Sequence, residues 1–338
     1  MVVTIAASFS LSGPAASARA DNFFAPTSVW NRELGPATPI SPRSPEYVAE
    51  LVRQIGETEA WINTNHYSVP IYTVGPDTPN VAVRILPPEG GLVDPALEAA
   101  MATVPVPIAA QPASGSDGHL VIYRPSTDEM WEFWVMRVEG GGWVAAYGGA
   151  IRNVSANPGY YDQNAWPGAE PDWGATASSL PLAAGLMRIP ELEAGHIDHA
   201  LALAIPEPSP EHVWPAQRSD GGNDAPSAIP EGTIFRLPAD LDVASLHLPR
   251  LTEVMALAAQ RHGVIVRDTS GCVCFYAEAP APGEGNPYEQ IFEEKYPDEL
   301  LERFPWSSLE VVQPDPLEAG GLVGPGSGPW PTWVMPSP

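Results

Sequence analysis

The chain has 338 residues, of which 44% are hydrophobic and 9% aromatic, too apolar a composition for a disordered segment. Its 41 prolines and 30 glycines exclude an architecture of long uninterrupted helices. A formal net charge of -25, with Lys295 the one lysine among 16 basic residues, excludes partners that need clustered cations, namely nucleic acid and anionic bilayers.

In chain order, residues 1–20 read as a signal peptide: Val2 to Leu11 is apolar, and Ala18-Arg19-Ala20 fits the small-residue rule for cleavage before Asp21. The expected location is therefore secreted, outside the cytoplasm, although no basic residue precedes Arg19. No other apolar run reaches the ~20 residues of a membrane span. Residues 21–44 read as an extended lead-in held by Phe23, Phe24 and Trp30, followed by a single β-rich domain over 45–312 and a Pro/Gly-rich tail over 313–338. A short helix is predicted over Glu46 to Ile55. Strands are predicted over Val69–Val74, Val81–Leu86, His119–Arg124, Met130–Val138 and Trp143–Tyr147, the third and fourth joined by a hairpin-length loop. The stretch Asn153 to Thr176 is long, irregular and aromatic, and reads as a functional loop or as a lid over an apolar sheet face. A short helical pair over Leu180–Leu192 comes next, then strands over Asp198–Ile205 and Thr233–Leu237. A helix carrying Leu248, Leu251, Val254, Met255 and Ala258 ends at Gly263, and strands over Val264–Arg267 and Cys272–Ala277 close the domain. The expected fold is mainly β: an antiparallel β-sandwich or jelly-roll with a few decorating helices. Cys272 and Cys274 are either free and buried or joined in a loop bridge.

Two constellations carry chemistry. Glu132 stands between Trp131 and Phe133 in a strand, where desolvation raises a carboxyl toward general-acid duty; the bland alternative is a salt bridge to Arg124 or Arg137. Asp117 and His119 open one strand, and Asp198 and His199 open another, which together supply two carboxylates and two imidazoles for acid/base catalysis. No cofactor is required by this pattern, though Asp117, His119 and His199 make a set able to hold a divalent metal. Trp134, Tyr147, Trp166, Trp214 and Arg218 are the candidate substrate-binding residues, suited to stacking a sugar ring and binding its carboxylate. There is no GxSxG elbow, phosphate loop, HExxH helix or GxGxxG turn; Ser178-Ser179 lacks an elbow.

Taken in order, His119-Leu-Val-Ile-Tyr, Trp131-Glu132-Phe133-Trp134, Gly174-Ala175-Thr176-Ala177, Leu180-Pro181-Leu182, Gly195-His196-Ile197-Asp198-His199-Ala200 and Val213-Trp214-Pro215-Ala216 resemble a family of secreted bacterial proteins, largely actinobacterial, over about 117–278. The resemblance implies export and a single domain but no reaction, since the biochemistry of that family is unassigned. This chain has Gln217 where many of those relatives have histidine, which lowers any role for that position. The leading expectation is a secreted carbohydrate-active enzyme hydrolysing an extracellular polysaccharide, with Glu132 as general acid and Asp117 or Asp198 as base or nucleophile. The alternatives are a polysaccharide lyase, with His119 or His199 as base, Tyr147 as acid and Arg218 neutralising a uronate, and a non-catalytic glycan-binding or cell-surface module.

Overall fold

A computed structural model describes residues 22–283 and 285–313; the predicted signal peptide and nearly all of the tail lie outside the described residues. The molecule is mainly sheet with few helices, 25% strand against 21% helix.

The predicted hairpin supplies the two central strands of a four-stranded sheet in the order Ile71–Thr73, Leu120–Arg124, Glu129–Trp134, Tyr147–Arg152, whereas most of the predicted Trp143–Tyr147 strand lies in another sheet. The predicted Met130–Val138 strand is broken, because the N–H groups of Val135 and Met136 turn to the carbonyls of Asp117 (2.6 Å) and Gly118 (3.0 Å). Val135 accordingly has φ 52°, a backbone conformation incompatible with an extended ladder. Beyond the break, Arg137–Glu139 joins Gly142–Ala145 and Val83–Ile85 in a three-stranded sheet.

A six-stranded sheet runs Ala60–Asn63, Val273–Tyr276, Leu201–Ile205, Val264–Thr269, Ile234–Arg236, Glu310–Val311. Its Leu201–Ile205 strand explains the layering. Leu201, Leu203 and Ile205 enter one apolar cluster with residues of the helices Ser44–Thr58 and Arg250–Arg261, among them Leu51 and Met255. Ala202 and Ala204 enter a second cluster with Trp30, Trp131, Tyr161 and Trp173. Small side chains on that face admit close backbone: at Gly185, φ 67°, an added Cβ would overlap Trp30 and the Ala202 backbone. In the lead-in Phe24 and Trp30 are buried and Phe23 is half-buried, with Trp30 Nε1 donating to the Gly159 carbonyl at 2.8 Å.

The expectation of antiparallel pairing needs correction. Among the described residues, five of the eleven strand pairings are parallel, including Ile71–Thr73 with Leu120–Arg124 and Leu201–Ile205 with Val264–Thr269. Tight hairpins force antiparallel neighbours, whereas strands separated by tens of residues are free to return in either direction. Over Leu180–Leu192 the predicted helical pair reduces to turns and the start of one short helix, Ile189–Ala194.

Candidate functional site

The loop Gly174 to Ala184 is the centre of the polar interior, and four charged side chains hold it. Glu132, fully buried, accepts the N–H of Ala175 at 2.9 Å on one oxygen and the N–H of Leu182 at 2.7 Å on the other. Burial pushes its carboxyl up to about 7, against the lowering pull of those N–H groups, the Arg267 charge and the Tyr161 hydroxyl. Arg267, also fully buried, donates through Nη1 to the carbonyls of Leu182 (2.8 Å) and Ala184 (2.9 Å), and its guanidinium lies 4.4 Å over the Tyr276 ring. Arg218 donates to four carbonyls: Ala177 (3.0 Å), Thr176 (2.6 Å), Gly174 (3.3 Å) and Asp172. Asp268 accepts the N–H of Ala177 at 3.0 Å and of Thr269 at 3.1 Å. Two carboxyls thus take loop donors and two guanidiniums take loop acceptors, which satisfies a segment that backbone pairing leaves open.

The outer side of this cluster reaches solvent. Asp117 and Asp268 are half-buried and Asp220 is exposed. Burial, and then the charges of Asp220 and Asp117, raise Asp268 to about 7 in spite of the neighbouring Arg267. His119 is buried beside them; burial lowers its imidazole to about 4, opposed by the Asp117 charge and by backbone hydrogen bonds to Ala175 and Ser68. Glu231, fully buried, is raised well above the carboxylate range by burial and by the charges of Asp220 and Asp268. Tyr147, half-buried with the Arg218 guanidinium 5.5 Å over its ring, is pushed up to about 12 by burial and by the Asp172 charge.

His119 and Glu132 therefore both meet Ala175, and the Asp117 charge acts on His119, while His199 belongs elsewhere. His199 Nε2 lies 3.1 Å from Glu191 Oε2 and its Nδ1 lies 2.8 Å from the Ala200 carbonyl, a buried pair beneath the lead-in. Glu191 holds the imidazole above its usual value against a larger desolvation penalty. Asp198 faces Arg261 at 3.2 Å on the surface. Among the described residues no three His, Cys, Asp or Glu side chains converge as a metal would need, so Asp117, His119 and His199 are not assembled into a ligand set.

The expected sugar platform is divided as well. Trp166 is buried against Trp131, ring centroids 5.7 Å apart, with Arg152 4.2 Å over its ring, so this part of the Asn153–Thr176 stretch is lid packing. Trp214 is half-buried between Tyr160 (6.2 Å) and Arg32 (5.3 Å). Trp134 is half-buried and registers with Tyr147 across the sheet. Among the described residues an open groove of about 500 Å³ has a lining that includes Pro112, Ser116, Gly118, Met136, Val138 and Trp143; Ser116 and Gly118 flank Asp117. Sequence reading missed Arg267, Asp268 and Glu231. Arg267-Asp268 carried the signal already applied to Glu132, charge inside an apolar strand, in Val-Ile-Val-Arg-Asp-Thr.

No family model, curated protein or solved structure matches the chain.

Proposed function

We propose that the protein is an exported carbohydrate-active enzyme that hydrolyses glycosidic bonds by carboxylate acid/base catalysis, with Asp268 and Asp117 as the working pair. The observation that carries this reading is Asp268: on a half-buried residue, a carboxyl that burial and two further aspartates raise to about 7 still holds a transferable proton at neutral pH. In this scheme Asp268 protonates the leaving oxygen and Asp117 serves as base or nucleophile. Glu132, the general acid expected from sequence, is reassigned to positioning, since both its oxygens are taken by backbone donors and none of its surface meets solvent. The lyase alternative is weaker because Arg218 spends its donors on four loop carbonyls, leaving little to neutralise a uronate. For the fold we infer a β-sandwich, because the four-stranded and six-stranded sheets contribute to one apolar cluster through residues such as Val121, Met130, Ala202 and Ile265.

The test is release of reducing ends from a panel of neutral and acidic polysaccharides by the exported protein and by Asp268→Asn and Asp117→Asn. Loss of activity in both variants supports the reading; full activity in Asp268→Asn, or no reducing ends from any polymer with the unmodified protein, sinks it. The groove at Trp143 favours a second reading, a glycan-binding module without catalysis. In that case Trp143→Ala abolishes retention on an immobilised glycan and Asp268→Asn leaves it intact.

A further inference from the structure

The two cysteines form a bridge, Cys272–Cys274, that closes a loop of three residues. A cross-link over so short a span removes few conformations from the unfolded chain, so fold stabilisation is a small part of what it does. Its setting is asymmetric. Ser270, Gly271 and Cys272 connect the Val264–Thr269 and Val273–Tyr276 strands, which are not neighbours: both flank Leu201–Ile205, and the connection passes over the end of that strand, with Ser270 N–H on the Ile205 carbonyl at 3.2 Å. Cys272 is half-buried on this connection beside exposed Gly271, whereas Cys274 is 1% exposed within its strand. The Ser270 hydroxyl donates to Cys274 Sγ at 3.2 Å.

We propose that Cys272–Cys274 is a thiol–disulfide exchange site, reduced by an external dithiol that attacks the outer sulfur, Cys272. The incoming thiolate forms a mixed disulfide with Cys272 Sγ as the Cys272–Cys274 bond breaks, and the electron pair leaves on Cys274 Sγ, where the Ser270 O–H stabilises the thiolate. The second thiol of the dithiol then displaces Cys272 as a thiolate. The protein gains two electrons and two protons, and the dithiol is oxidised to its cyclic disulfide. Asp268 and Cys274 both register with Ala204, from its two sides, so they lie on one face in a row across the sheet.

The experiment titrates the native full chain with dithiothreitol, alkylates with iodoacetamide and reads mass and melting temperature. The expected result is two alkylated cysteines in protein that keeps its circular dichroism and cooperative melting, with the bridge restored by oxidised glutathione. Alkylation that appears only in denaturant, or collapse of the fold on reduction, overturns the proposal. The direction of attack is read in single variants: Cys274→Ser should form a mixed disulfide with glutathione at Cys272, while Cys272→Ser should leave Cys274 unmodified. The reverse pattern overturns the assignment of the outer sulfur. Ser270→Ala should slow reduction several-fold at unchanged melting temperature; an unchanged rate removes Ser270 from the step.

Discussion

Glu132 and Asp268 are two carboxyls raised by burial to the same point, about 7, among different partners. Glu132 lies under the loop, with one backbone N–H on each oxygen and no exposed surface. Asp268 lies at the end of its strand on a half-buried residue and receives two N–H groups on one oxygen, Oδ1, with no backbone donor on the other. A perturbed carboxyl marks a place where burial outweighs stabilisation of its charge, and such places arise in structural clamps as well as in active sites. Exposure and the destination of each oxygen separate the two uses.

The largest effect that tests the contrast is on turnover. Asp268→Asn keeps an oxygen for Ala177 and Thr269 but removes the titrating proton, so hydrolysis should fall by roughly 10²- to 10⁴-fold with the fold retained. Polysaccharide assays and melting curves on the same preparation check both halves. A variant that melts early and still turns over would exchange the roles of the two carboxyls.

Next in size is the clamp. Glu132→Gln places an amide NH₂ against one of two backbone N–H groups, leaving a buried donor unpaired at a loss of about 1–3 kcal/mol. The expected readout is a melting temperature lower by several degrees, with activity retained in the folded fraction. Arg218→Lys sharpens the same point: one ammonium cannot span four carbonyls in the geometry of a planar guanidinium, so protease cleavage near Asp172 to Ala177 should accelerate. An unchanged cleavage rate would show that Glu132, Arg267 and Asp268 hold the loop without it.

Much of this contrast was invisible in the sequence for a physical reason. Period-two alternation identified Glu132 as a charge among aromatics, and the hairpin around it was legible because its turn is local. The donors on Glu132 come from Ala175 and Leu182, 43 and 50 residues away, and periodicity carries no information about what lands on a buried face. His199 illustrates the same gap: its place at a strand opening matches that of His119, yet its partner, Glu191, stands eight residues upstream. The parallel pairings were missed because long connections leave direction open. Trp30 and the helices Ser44–Thr58 and Arg250–Arg261 were legible because apolar spacing and terminator residues act locally.

The smallest effect, and the one that distinguishes the carboxyls without any substrate, is the pH dependence of stability. A carboxyl whose folded value is raised keeps its proton longer in the native state. Its contribution is therefore complete below the unfolded value and disappears as pH rises through the folded one. For Glu132 that window runs from 4.5 to about 7, and for Asp268 from 3.8 to about 7. His119 acts in the opposite sense: lowered from 6.5 to about 4, it favours the folded state above 6.5 and withdraws that contribution as pH falls through 4. Between pH 5 and pH 6 each raised carboxyl, Glu231 included, should tilt stability downward with rising pH by at most about 1.4 kcal/mol, while the imidazoles lowered by burial, His119, His212 and His262, tilt it upward. Denaturant titrations across this range should therefore be read as the difference in slope between each variant and the unmodified protein. Glu132→Gln should remove one downward contribution from a lower starting stability, and Asp268→Asn should remove one from a nearly unchanged stability. A change of slope in only one of the two variants would mean that the other carboxyl is already ionised in the folded protein, and the two would not be equivalent.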